Sequence, residues 1–427
     1  MLACPSTTPP GRRIRVVRRL GNGLAGRLRL RHHADEPQSA YPLAQRHLEG
    51  VLDDSESSGA TIRLGPDVIQ ERSVDAFLGH LPDDDRAVNI AVAEPGTPNE
   101  GLCVAMLGLL ARIHRRSAAI NLRLPELEDA ATVAESFLST LLVLYADEVA
   151  RDGEASDIRA DLLALLDHRL GSVAGGSSTA LLSTNLAGTE QHVALRQPRV
   201  FSSRYFEVWN ELEEALDPLL ERFKLSVRED EREHLLTFAQ QAVENAREHG
   251  YITMRGDRIP GVRFVRLRVL AAEEVRRASA PLGHYLERLA EGGRAHAFVE
   301  IYVGDPGRGI SATIKSDDAI YDGPIGLEQA RFTLALGPRG TCKPKKPGAG
   351  RGLVMMTRAV HELRAFMAIR TGRLFRCRHF LDPMGRLEPD FFDEGDLSFY
   401  RTYDWDESVR PRIEGTHVFC LVPVIKG

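Results

Sequence analysis

Residues 298 to 310, FVEIYVGDPGRGI, set an apolar run directly against a turn containing one proline and two glycines. Phe298, Val299, Ile301, Tyr302 and Val303 are β-branched, aromatic or otherwise suited to a packed strand, and Glu300 is the only charge among them. Asp305 stands where that strand ends. Pro306, Gly307 and Gly309 then force the chain round, proline by fixing φ and glycine by accepting close approaches closed to other residues. A carboxylate held at such a turn can accept a hydrogen bond from a ligand amine. Asp-x-Gly-x-Gly also occurs in ordinary turns, so the loop alone leaves both readings open.

Three further segments accompany it: QQAVENAREHG ending at Gly250, PGAGRGLVMM over 347–356, and EGTHVFCLVP over 414–423. The first lies on a helix expected from about Asp230 to His249. There Leu235, Phe238, Ala239, Ala242, Val243 and Ala246 form the apolar side, while Gln241, Glu244, Asn245, Glu248 and His249 gather within ~140° on the other. In the second, Leu353, Met356, Val360 and Leu363 recur at three and four, so a helix begins at about Gly352. Free N–H groups and the positive dipole end make such a start an anion site, and Gly348, Gly350 and Gly352 let phosphates come near. The stretches AFMAIR and THVFCLV read as closing strands.

In this order the four segments resemble the nucleotide-binding boxes of the GHKL superfamily, over roughly residues 205 to 427. The resemblance implies a Bergerat-fold α/β (α+β) two-layer sandwich binding ATP and Mg²⁺. Asn245 would coordinate the magnesium ion, for which an amide oxygen is a suitable hard ligand. Asp305 would receive the adenine amino group, with Gly307 and Gly309 allowing close approach and Thr416 lying near the base. A lid over 311–347 would carry Thr341, Lys343, Lys345 and Lys346 towards the phosphates. One departure stands out: gyrase-like and chaperone-like members place a glutamate four residues before the Asn, and this chain has Gln241 there. An amide takes no proton at neutral pH, and Glu244, about 60° round the helix, is a weaker alternative base.

Ahead of that region, a Pro-rich and arginine-rich arm without acids from Arg12 to His33 occupies residues 1–45 and reads as a solvated, disordered tail. Residues 46–170 read as an α/β regulatory layer, weakly STAS-like, with strands at 60–64, 87–93 and 118–123 and helices from Gly101, from Ala130 to Arg151 and from Asp157 to His168. His168 is the best-placed candidate phosphoacceptor, yet Arg169 follows it where histidine kinases carry an acid, so it reads as a surface histidine. The Gly, Ser and Thr content of 171–189 marks a linker over 171–200, before the ATP-binding domain at 201–427. A helix from Tyr205 is expected to kink or break at Pro218.

The net charge of −5 makes no global case for nucleic acid, and five cysteines without CxxC spacing argue against zinc and disulfides alike. No run approaches the ~18 apolar residues of a membrane span, and a reducing cytoplasm fits. The chain ends soon after Pro423, short of the transducer domain that gyrase-like relatives need, which is the layout of the histidine kinase and anti-sigma kinase branch. A cytoplasmic Mg-ATP-dependent switch or protein kinase acting on Ser, Thr or His of a partner is therefore expected. The alternatives are an ATP sensor with little turnover and a nucleic-acid-associated ATPase. Its partners would be ATP, a protein partner and, as an open option, a second copy of the chain.

Overall fold

The computed structural model describes residues 60–64, 88–92, 110–111, 119–125, 129–151, 154–155, 157–202, 205–250, 258–275, 280–291, 297–315, 317–336, 352–381 and 406–426. The basic arm and most of the helix expected from Gly101 lie outside them. Strands β1 (Ala60–Leu64), β2 (Val88–Val92), β3 (Ile120–Leu124) and β4 (Glu148–Arg151) run parallel in chain order, and β5 (Glu154–Ala155) pairs antiparallel with β4. The single helix expected over 130–151 is divided. A one-turn helix at Ala130–Val133 is followed by α1 (Phe137–Tyr145), which starts where the Ser136 hydroxyl accepts the Ser139 N–H at 3.3 Å. After Tyr145 the chain turns extended, and the Asp147 carboxylate takes the Ile120 N–H at 2.8 Å, so the last residues join the sheet as β4. Helix α2 (Ile158–His168) follows, with Asp157 accepting the Ala160 N–H.

The stretch expected as a linker over 171–200 is structured. It holds a hairpin, β6 (Ser172–Gly175) and β7 (Ser178–Thr184), turned at Gly176 with φ +52°, and β7 pairs with β9 (Val262–Ala271). Alternation explains it: Ala180 and Leu182 are buried, and Ser and Thr are ordinary strand residues once one face is covered. Helix α3 (Tyr205–Arg222) runs through Pro218 without ending. Pro218 and Glu214 are both exposed, so the carbonyl that proline leaves unbonded faces water, while Leu212, Leu216 and Leu219 hold the inner face. A two-residue strand β8 (Leu225–Ser226) then leads to α4 (Glu229–His249), with acids in its first turn and Arg247 and His249 in its last, as the helix dipole favours.

One-turn helices lie at Val193–Arg196, Arg199–Ser202 and Ala272–Val275, and the remaining elements are α5 (Ala280–Glu291), β10 (Ala297–Asp305), α6 (Ile310–Lys315), a 3₁₀ turn at Asp318–Tyr321, α7 (Ile325–Ala335), α8 (Gly352–Glu362), β11 (Phe366–Thr371), β12 (Leu374–His379), β13 (Asp406–Val409) and β14 (Thr416–Lys426). They complete an antiparallel sheet ordered β13-β12-β11-β14-β10-β9-β7-β6, with β8 on the end of β14. β10 lies between β9 and β14.

Period-two alternation sends Val299, Ile301 and Val303 to a core with Leu212, Phe238, Val243 and Met356 of α3, α4 and α8. The other face carries Phe264, Tyr302 and Phe419. It packs against Phe137 and Leu141 of α1, Leu122 of β3 and Tyr285 of α5. The expected two-layer sandwich thus has a covering layer on its far face, and the core beneath that layer is shared between the N-terminal and C-terminal halves. Within it Arg266 lies 3.8 Å from the fully buried Glu300, with its guanidinium 5.2 Å over the Phe137 ring.

Candidate functional site

Asp305 ends β10 and sits in register with Thr416, the first residue of β14. Asp305 as a residue is 7% exposed, and its Oδ1 accepts the Gly307 N–H at 2.8 Å, which closes the Asp-Pro-Gly turn. The end of α4 arrives at the same place. A Cβ built on Gly250 would stand 2.6 Å from Asp305 Cβ, and one on Gly307 would stand 2.7 Å from the His249 carbonyl oxygen. From the opposite side comes Gly415, at φ +86°, where the Asp305 carbonyl occupies the space a side chain would need.

One helical turn back along α4, Asn245 is half-buried beneath the start of α8. Its Nδ2 donates to the Met356 sulfur at 3.7 Å, and a Cβ on Gly352 would come within 3.1 Å of both Nδ2 and Oδ1. The first turn of α8, with N–H groups that have no partner within the helix and the positive dipole end, therefore sits directly on an amide oxygen that can ligate a hard cation. The glycine is what permits this, since any side chain would fill the space between the two. Gly309, at φ +83°, lies against Tyr321 and Thr371, a Cβ there falling 2.8 Å from Thr371 Oγ1.

Thr371 is a residue sequence reasoning passed over. It ends β11, accepts the Ile310 N–H at 2.9 Å, and places Oγ1 3.3 Å from the Gly415 carbonyl and 3.4 Å from Thr416 Oγ1. It thereby ties the loop after β10 to the beginning of β14. Gly250 is likewise marked by nothing local in the sequence. Behind the site, the Tyr302 hydroxyl lies 3.0 Å from His417 Nδ1. Complete burial, and secondarily the Arg370 guanidinium, push the His417 imidazole down to about 3, so it is neutral at physiological pH.

The part of the expected lid that is described, up to Leu336, is anchored. Arg308 of the loop donates to Asp318 at 2.6 Å, the Tyr321 hydroxyl donates to the Arg308 carbonyl, and Arg331 donates to Asp317 at 2.8 Å. Fully buried Glu328 of α7 accepts both the backbone N–H and Nε of Arg373 at 2.8 Å, and Arg373 reaches on to the carbonyls of Ile320 and Gly323. This block is a fixed wall beside the site.

Of the sequence candidates, the structure brings Asn245, Gly352, Asp305, Gly307, Gly309 and Thr416 into two adjoining clusters joined by the last turn of α4. Gln241 lies a turn further from them, half-buried, and Glu244 is ion-paired to Arg247. Lys343, Gly348 and Gly350 lie outside the described residues, as do Thr341, Lys345 and Lys346. His168 is exposed at the end of α2. A scan against protein-family models finds no match to the chain, and a search of curated proteins finds none similar to it.

Proposed function

We propose that the chain is a Mg-ATP-binding regulatory protein of the GHKL type, working as a nucleotide-dependent switch. The observation that carries this reading is the seating of Gly352, at the head of α8, on the Asn245 amide, next to the turn where Asp305, Gly307, Gly415 and Thr416 meet. Those residues fit the ligand: a buried carboxylate for an amine on a base, a helix start for phosphates, and an amide oxygen for the magnesium that would screen their charge. The space a Cβ would fill at Gly352 is where such a group would enter.

Slow turnover belongs to the same reading. Gln241 has no basic atom at neutral pH, and the Glu244 carboxylate is engaged by the Arg247 guanidinium. Phosphoryl transfer to a Ser, Thr or His of a partner needs positioning more than a strong base and is the second reading this site allows. Incubation of the full chain with γ-labelled ATP and a lysate separates them. Nucleotide that stays bound and intact while no protein acquires label is the result expected of the switch; labelling of a discrete partner makes the chain a kinase.

A further inference from the structure

We propose that Tyr145, at the end of α1 in the N-terminal half, is a positioning residue for the adenine-side loop; this rests on the nucleotide reading above. The loop's floor is the segment before β9. Gly261 there has φ +151°, and a Cβ built on it would stand 2.7 Å from Pro306 Cγ and 2.9 Å from the Tyr145 hydroxyl. Gly261 is thus pressed between the turn that carries Asp305 and the tip of α1. The Tyr145 hydroxyl accepts the Val262 N–H at 3.0 Å in a buried setting, so this backbone group has its partner across the two halves of the chain.

The same segment is held from β7. Asn185 Oδ1 accepts the Gly261 N–H at 2.9 Å, its Nδ2 donates to the Ile259 carbonyl at 3.0 Å, and the Thr184 hydroxyl donates to the Gly261 carbonyl at 3.2 Å. Further along α1, Phe137 stands edge-on to Phe264 at 4.9 Å and to Tyr302 at 6.4 Å, so α1 is keyed to β9 and β10 at a second point. Tilting or withdrawing α1 would move the Val262 partner and release Pro306, shifting Asp305 without touching Asn245 or α8. The N-terminal layer therefore sets the base side of the site separately from its phosphate side, and α1 is the route by which a partner bound to that layer would alter nucleotide affinity.

The test compares affinities of the full chain for Mg-ATP and for Mg-tripolyphosphate, which lacks the base, with thermal melting as a check on folding. Tyr145→Phe keeps the ring and removes the acceptor; it is expected to weaken Mg-ATP about tenfold and leave tripolyphosphate within about twofold. Asn185→Ala loosens the same segment from β7 and should give the same split, which keeps the idea falsifiable if Tyr145→Phe does not fold. Equal loss on both ligands, or unchanged Mg-ATP affinity in a parent chain that binds it, overturns the positioning role. A parent chain that binds tripolyphosphate or nothing, but not ATP, removes the nucleotide reading and this inference with it.

Discussion

His417 shows how far a single side chain beside the site departs from its solution behaviour. Burial and Arg370 lower its folded-state pKa to about 3, below the ordinary value near 6.5 that the unfolded chain keeps. Unfolding therefore takes up a proton between these values, so the stability His417 contributes is complete above about pH 6.5 and is lost as pH falls from there towards 3. His417→Gln removes that titration. Its urea-unfolding free energy should fall less between pH 7 and pH 5 than that of the parent, by on the order of 2 kcal/mol; parallel pH profiles would contradict the assignment. Individual residues were unequally legible in the sequence. Asp305 and Asn245 stand out because a carboxylate at a strand end and an amide on a helix before glycine-rich turns carry chemistry in their type and place. Thr371 and Gly250 matter through neighbours distant along the chain, Gly415 and Asp305 respectively, and nothing local marks them.

Elements that bury one clean stripe, such as α4 with Leu235, Phe238, Ala242 and Val243, follow their periodicity closely. Those whose limits depend on a cap or a partner strand do not. The apolar run after Ala130 reads as one helix, but Ser136 restarts it and Asp147 draws its tail into the sheet. The Gly- and Ser-rich hairpin of β6 and β7 has a linker's composition and becomes a strand pair only because β9 offers it an edge. The block from α6 to α7 is governed by a tie that is likewise invisible locally, the Glu328–Arg373 pair spanning 45 residues. Arg373→Ala leaves the fully buried Glu328 carboxylate without that guanidinium and is expected to cost about 3–5 kcal/mol. Hydrogen exchange over 310–336 should accelerate more than over α4. Uniform or absent acceleration would mean that the pair does not hold the block.

Among the described residues, both faces of the large antiparallel sheet are covered, and residues before 200 form part of the cover on one of them. A boundary drawn in the Gly/Ser-rich stretch divides a core that the structure shares. Phe264, Tyr302 and Phe419 sit at alternating strand positions that would suit either an open or a covered face, so their partners on α1 and β3 were not legible from pattern. A fragment beginning at residue 201 lacks that layer along with β6 and β7, exposes those aromatics, and should aggregate; a soluble, monodisperse fragment with the parent's melting temperature would refute the shared core. The proposed nucleotide site is itself a property of the whole molecule, since it joins segments more than 150 residues apart, from Asn245 to Thr416. Its most direct measurement is titration calorimetry of the full chain with ATP, with and without Mg²⁺, beside Asn245→Ala, Asp305→Asn and Gly352→Val. Expected are Mg-dependent binding by the parent, loss of the magnesium dependence in Asn245→Ala, weaker preference for ATP over GTP in Asp305→Asn, and no triphosphate binding in Gly352→Val. An affinity unchanged in all three variants, or a parent chain indifferent to millimolar ATP, would contradict it.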